Sequence, residues 1–175
     1  MARSRTLIIG HDYGDDVPYK EGEVASGATV YPGMILEQTG VNNDGDPLLQ
    51  PVSSVEKLGA PVRIALSPES PPKNTDADIP RQHEYAAGEH VQYQVMRPGD
   101  EVQNALLADG GVLASASDAD VSIGDGLGTN DDGTVKVSTT AGSIFAEAIE
   151  AVDNSTGGGG EGGVDAARIS FEVTR

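Results

Sequence analysis

Hydrophobic and polar residues alternate along several short segments of the chain. In the segment 90–96, Val91, Tyr93 and Val95 fall on one face, and Met96 lies on the other face with two glutamines. Strict alternation of this kind predicts a β-strand with one buried face. The same pattern predicts a strand in 60–67, one after residue 100 with Val102 and Leu106 on a shared face, and strands at 134–137 and 167–175.

The segment 143–153 fits either a helical stripe or a strand face. We interpret it as a strand, because 167–175 alternates clearly and the two segments can pair as a long hairpin. The glycine-rich run between them has the composition of a flexible linker. The hairpin is therefore predicted to carry a flexible tip at 154–163.

Glycine corners separate several of the predicted strands, at Pro32-Gly33, Pro98-Gly99 and Ile123-Gly124. Proline at the second and glycine at the third position are typical of a type II turn, because glycine accepts a positive φ there. The shared pattern predicts one structural task, which is to let strands bend around a small barrel or sandwich. The similarity of the corners is too weak to indicate a sequence repeat.

These patterns predict an all-β fold, a small β-barrel or sandwich. Residues 1–22 are polar and are predicted to form an extended N-terminal arm, and 23–175 a single β-rich domain. Four prolines in 67–82 exclude a regular strand there and predict a long exposed loop.

The net charge of the chain limits the classes of partner that it can bind. It contains 28 Asp and Glu against 11 Lys and Arg, a formal net charge of −17. Such a surface repels nucleic acid and anionic membranes, which are bound through Lys and Arg. Adaptation to high salt explains the charge better than solubility alone, because salt screens the self-repulsion. The only N-terminal apolar run, Leu7 to Ile9, is too short for a signal peptide, which predicts synthesis in the cytoplasm.

The sequence offers no catalytic pattern. It has no cysteine, no Gly-x-Ser-x-Gly and no His-Glu-x-x-His, and its run at 157–163 lacks the Gly-Lys-Ser/Thr ending of a phosphate loop. We expect neither an enzyme nor a bound cofactor. The acidic turns 42–46 and 130–133 could loosely hold Mg²⁺, Ca²⁺, Na⁺ or K⁺ through hard oxygen ligands, although such residues are also ordinary turn formers.

Parts of the chain resemble a known family. The marks are the Gly88-x-x-Val91-x-Tyr93 strand, the run from Pro98 to Val102, Gly124-Asp125-x-Leu127, and the run from Ala146 to Asp153 before the closing strand. In these segments the chain resembles the capsid decoration, or cement, proteins of tailed bacteriophages, and most nearly those of haloarchaeal head–tail viruses. The resemblance covers 85–175 better than 20–66.

The resemblance implies a virion structural protein on the outer surface of an icosahedral capsid, often a homotrimer, that bridges major capsid proteins without catalysis. An arm that docks on a neighbour would supply the capsid contacts, and our candidates are seven of its residues: Arg3, Arg5, Leu7, Ile8, Ile9, Tyr13 and Tyr19. An alternative is a capsid-surface projection of the turret or fibre type that binds a host receptor or glycan.

Overall fold

The computed structural model describes residues 7–9, 19–53, 61–68, 83–157 and 166–174. They form thirteen short strands and one short 3-10 helix, so the all-β prediction is confirmed. No helix among them is long and apolar enough to cross a membrane. The strands are β1 Leu7–Ile9, β2 Lys20–Val24, β3 Ile35–Val41, β4 Pro47–Pro51, β5 Arg63–Ala65, β6 His90–Val95, β7 Glu101–Leu106, β8 Asp120–Val121, β9 Gly126–Thr129, β10 Val135–Val137, β11 Ala146–Ala148, β12 Val152–Asp153 and β13 Arg168–Val173; the 3-10 helix is Ala116–Ala119.

Strands β2 to β6 close into a five-stranded barrel in the order β2-β4-β3-β5-β6. The β2–β4 pair is parallel, and the other four pairs are antiparallel. Alternation of side chains along each strand fills the barrel from inside, as its small interior requires. Val24, Leu36, Leu49, Val91 and Tyr93 are among the residues buried there. We call residues 20–95 the first module.

Strands β7, β9, β10, β11 and β13 belong to a six-stranded sheet of order β1-β7-β13-β11-β9-β10. A parallel bridge from Leu107 to Val135 connects the end of β7 to β10, and β8 and β12 form a separate antiparallel pair. In the core packed against the six-stranded sheet, the rings of Phe145 and Phe171 meet edge to face, with centroids 5.5 Å apart. We call residues 101–173 the second module.

The second module repeats the topology of the first. Strands β2, β3, β4, β5 and β6 correspond to β7, β9, β10, β11 and β13, with the same pairing order and the same parallel contact between first and third strands. Both hairpins turn at an Asn-x-Asp-Gly sequence, at 42–45 and 130–133. Backbone bonds confirm the match, because Leu66 N–H donates to Gln92 O and Ile149 N–H donates to Ser170 O. The repeat, which sequence similarity did not reveal, is clear in the structure.

Four turns of one design connect to the strands of both modules. Their glycines, Gly33, Gly88, Gly99 and Gly124, have φ values of 94°, 85°, 90° and 90°. Each glycine N–H donates to one residue of a facing strand, and the N–H of that residue donates to the carbonyl after the glycine, all at 2.8 or 2.9 Å. The facing residues are Ala65, Val24, Val173 and Ala148 in the same order. The three predicted corners are thus confirmed, and Gly88 adds a fourth.

Side chains also close these turns. The carboxylates of Glu89, Asp100 and Asp125 accept the N–H three residues earlier, at 2.7, 2.7 and 2.8 Å. In the Pro32-Gly33 turn the sulfur of Met34 takes the same position, 3.3 Å from the N–H of Tyr31. The acidic residue after the glycine therefore stabilises the turn in three of the four cases.

The wall between the modules serves two cores at once. On β3, Leu36 points into the barrel and Ile35 points into the core of the second module. On β5, Ala65 points into the barrel and Ile64 points into the core of the second module. Because successive side chains of a strand lie on opposite faces, one pair of strands supplies both cores.

The Pro32-Gly33 turn fixes the modules to each other. Leu106 N–H donates to Gly33 O at 3.0 Å. The Arg168 guanidinium donates to Pro32 O, and to Asn104 O at 3.2 Å. A half-buried cation bound to two carbonyls from different modules holds this joint closed.

A β-bulge lies at the joint. The β7–β13 register shifts between Ile169 and Phe171, and Asn104 on β7 has a φ of 62°. The extra residue reverses the alternation, so Val102 points into the core of the second module and Leu106 into the barrel. The prediction that these two share a face is therefore wrong, because period-two counting fails across a bulge.

The described residues include only part of the predicted loops. Most of the Pro-rich segment 67–82 and the glycine-rich 158–163 lie outside the described residues. The start of the predicted tip is packed: Asn154 is buried and donates to Ala108 O at 2.8 Å. Strand β2 begins at Lys20, so the barrel includes residues that the sequence analysis placed in the arm.

We expect Gly33→Ala to destabilise the protein strongly. A Cβ there would lie 2.7 Å from Asn104 O and 2.9 Å from Leu106 N, which are backbone atoms. The positive φ costs about 1–2 kcal/mol and overpacking adds about 1–3 kcal/mol. Gly27→Ala is the matched control, because its φ is 81° but nothing lies within 4 Å. Urea unfolding at fixed salt measures the free energy of unfolding of both variants. An equal loss of stability in the two would contradict the role of the Pro32-Gly33 turn in joining the modules.

Candidate interaction surfaces

Four of the seven predicted contact residues lie within the described part of the chain. Leu7, Ile8 and Ile9 form β1, and Tyr19 is 48% exposed directly before β2. Arg3, Arg5 and Tyr13 lie outside the described residues. Among the described candidates, Leu7, Ile8 and Ile9 are therefore held on the body by the strand pairing of β1 with β7.

Strand β1 forms the outer edge of the six-stranded sheet. It pairs antiparallel with β7, with Ile8 opposite Val102. Among the described residues, no strand pairs with the other side of β1. An edge of this kind presents N–H and C=O groups that can pair with a strand from another chain.

A row of carboxylates crosses the same sheet. Glu147 on β11 lies opposite Glu172 on β13, which lies opposite Glu101 on β7. Like charges directly opposite each other destabilise a sheet. Glu101 accepts a bond of 2.6 Å from the Gln103 side chain. The row gives this face a concentrated negative charge.

The glycine turns differ in what covers them. In the first module Pro32 is buried where the two modules meet, and Leu66 packs against the core of the second module. Their counterparts in the second module are Ile123, which is 71% exposed, and Ile149, which is 38% exposed. The second module therefore leaves uncovered the positions through which the first module is docked.

The acidic turns use their oxygens internally. Asn42 Oδ1 accepts the N–H groups of Asp44 and Asp46, at 3.0 and 2.8 Å, and its Nδ2 donates to Glu23 at 2.7 Å. In the other hairpin, Asp132 accepts Thr134 N–H at 2.8 Å. No group of three or more His, Asp or Glu among the described residues is placed to hold a metal ion.

The histidines lie in two settings, while His11 is outside the described residues. His83 is buried edge to face against Tyr85, with centroids 4.6 Å apart. His90 lies 3.8 Å from an exposed Asp46 carboxylate. Burial raises the pKa of the Tyr85 hydroxyl, and Glu89 and Glu21 raise it further. That hydroxyl donates to Leu66 O at 3.0 Å and so stabilises the barrel wall.

A polar cleft of about 210 Å³ lies beside β10. Lys136 is 4.0 Å from Asp118 at one side. The hydroxyls of Ser138 and Ser143 are 2.6 Å apart, and Ser143 donates to Thr140 O at 2.9 Å. This cleft presents hydroxyls and one ion pair, which suit a small hydroxylated ligand better than an apolar one.

Sequence reasoning missed the exposed apolar turn and the carboxylate row. The turn had a detectable signal, since Ile123 occupies the position where two other corners have proline. An isoleucine at an exposed turn position lowers solubility, so its presence there is unexpected. The row had no signal, because opposition across strands depends on register.

Comparisons with known proteins give a likeness among solved structures. No protein-family model matches the chain, and no curated protein matches it. Among solved structures, the chain is similar to the head fiber gp8.5 N base of bacteriophage phi29, with a TM-score of 0.47 and 13% sequence identity over 90% of this chain and 95% of that chain. At this score and identity the likeness supports no statement about function.

We expect Tyr85 to make the stability sensitive to alkaline pH. A folded-state pKa above the unfolded value of about 10 means that the stabilisation is complete below that pH and is lost as the pH rises above it. Tyr85→Phe should cost about 1 kcal/mol near pH 7 from the lost hydrogen bond and should make the alkaline decline shallower.

The free energy of unfolding from about pH 8 to 11 measures this effect. Tyr19→Phe is the control, because that side chain is exposed. Wild type and Tyr85→Phe declining with the same slope would contradict the assignment.

Proposed function

We propose that the chain is a virion structural protein that decorates and stabilises the outer surface of an icosahedral capsid by bridging major capsid proteins. The observation that carries the proposal is the sheet edge formed by β1, a strand from the N-terminal arm with one side unpaired among the described residues. Strand addition at such an edge joins two chains through backbone bonds. The resemblance of the strand and turn segments to decoration proteins supports the same function.

The charge supports adhesion through packing and backbone bonds. Lys136 and Asp118 form a half-exposed ion pair that is long, at 4.0 Å, and exposed His90 lies 3.8 Å from the Asp46 carboxylate. Exposed ion pairs contribute about 0–1 kcal/mol and are screened by salt. A protein with a net charge of −17 that works in high salt would therefore attach through apolar contacts and strand pairing.

In this proposal the protein is not an enzyme and needs no cofactor, and any Mg²⁺, Ca²⁺, Na⁺ or K⁺ is loosely held. Its partners are the major capsid protein and further copies of itself, as a homotrimer. It binds neither nucleic acid nor membrane, because its net charge repels both. The high-salt, haloarchaeal setting is part of the same proposal.

A second candidate is a capsid-surface projection that binds a host receptor or glycan. The cleft beside β10 favours it, because serine and threonine hydroxyls next to Lys136 and Asp118 can bond sugar hydroxyls. Glycan sites also use exposed aromatic side chains, and none lines this cleft. Loss of binding to host-surface glycans by Lys136→Ala, with capsid binding intact, would support this candidate.

We expect deletion of residues 1–18 to weaken capsid attachment by at least about tenfold in apparent affinity, because it removes β1 and leaves β2 whole. Deletion of 1–6 is the matched control, since it keeps β1. Occupancy on purified capsids stripped of the protein is the measurement, with circular dichroism to verify folding. Equal occupancy for the two deletions would refute the role of β1.

A further inference from the structure

The two modules differ at one cross-strand pair of their equivalent hairpins. In the first module Glu37 on β3 lies opposite Gln50 on β4. In the second module Gly128 on β9 lies opposite Lys136 on β10. The pair on either side has the same register in both hairpins. Glycine therefore stands at the position of the glutamate, and lysine at the position of the glutamine.

The carboxylate of the first module gathers three donors. Glu37 Oε1 accepts from the Gln50 side chain at 2.8 Å and from the Ser53 hydroxyl at 2.7 Å. It also accepts from Ser53 N–H at 3.4 Å. Several donors on one ionised oxygen make strong, charge-assisted bonds. The first module therefore shows how this position holds a carboxylate.

The second module keeps the donors. Thr139 corresponds to Ser53, because the residues before them make equivalent backbone bonds, to Gly126 O at 2.9 Å and to Ile35 O at 3.0 Å. Lys136 and Thr139 thus offer an ammonium group, a hydroxyl and a backbone N–H where the first module has its three donors. None of these three groups makes a hydrogen bond to the part of the chain that the structure describes.

The second module does not supply the matching acceptor. A Cβ at Gly128 would lie 3.0 Å from Ser143 O and 3.1 Å from Ser138 Cβ, so a side chain there would be crowded. The carboxylate of Asp118 lies 4.0 Å from Lys136 Nζ, beyond hydrogen-bond distance. The donors are therefore placed for a carboxylate from another molecule.

These donors line the polar cleft of about 210 Å³ beside β10. The Lys136 side chain is only 25% exposed, and a charge that is partly shielded from water interacts more strongly than one at the open surface. Ser138, Thr140 and Ser143 line the same cleft and can bond further polar groups of a ligand.

We propose that this cleft binds a ligand through a carboxylate group, with Lys136 and Thr139 as the donors, in the arrangement by which the first module holds its own Glu37 carboxylate. The neighbouring hydroxyls of Ser138 and Ser143 suit a sugar acid. The inference rests on the second candidate function, because it takes the cleft as a ligand site. It does not depend on binding to a capsid.

Titration with three soluble probes tests the ligand class. The isotope-labelled full chain is titrated with glucuronate, glucuronamide and acetate, and the chemical shift of Thr139 N–H is followed. At about 1 M NaCl the repulsion by the net charge of −17 is screened, and chloride competes equally in every arm. Glucuronamide has the shape of glucuronate without its charge, and acetate has the carboxylate without the sugar.

Glucuronate should bind at least about tenfold more tightly than glucuronamide. Glucuronate binding above acetate would identify a sugar acid as the ligand, whereas equal binding would identify the carboxylate alone, as an acidic side chain also carries it. Equal affinity for glucuronate and its amide, or no shift up to about 100 mM glucuronate, would overturn the proposal.

Variants locate the binding. Lys136→Ala should weaken glucuronate binding by at least about tenfold, and Thr139→Val should weaken it less because the N–H remains. Gln50→Ala is the matched control, since the equivalent donor in the first module already has an internal partner. Circular dichroism verifies that all three fold.

Wild-type affinity in Lys136→Ala, or an equal loss in Gln50→Ala, would overturn the assignment. Capsid occupancy of Lys136→Ala, measured separately, distinguishes a failure of this inference from a failure of the capsid-binding proposal.

Discussion

The structure depends on a pair of hydrogen bonds that each glycine turn exchanges with one residue of a facing strand. The residue that makes these two bonds has a positive φ in all four turns. Glycine adopts this conformation without steric cost, whereas a side chain at the same position would strain the turn. Four turns use the pair of bonds, with three of their following residues supplying a carboxylate that closes the turn. Each turn thus fixes both the direction of the strand it begins and the strand it faces.

Much of the fold follows from local sequence. Alternation located β6 and β13, and the Pro-Gly and Ile-Gly corners located three turns. These succeeded because period-two burial and glycine conformation are local properties. The face of Leu106 was wrong because one residue, Asn104, takes a left-handed φ that nothing in the neighbouring residues indicates.

The surfaces were less predictable than the core. Arm residues Leu7 to Ile9 were proposed as contacts from their position, and the structure places them at a sheet edge. The Ile123-Gly124 corner was predicted from the sequence, but the exposure of Ile123, in contrast to the burial of Pro32, was known only from the structure. The carboxylate row likewise needs the register of three strands. Long-range pairing decides these features, and a single sequence carries little information about it.

The β3–β5 wall has a mechanical consequence. Ile35 and Ile64 are fully buried in the second core while their neighbours Leu36 and Ala65 are buried in the first. Pulling either module away would strip the lining from the other, so neither half can open alone. A tensile load applied at one end is thereby shared by the whole molecule until both modules yield together.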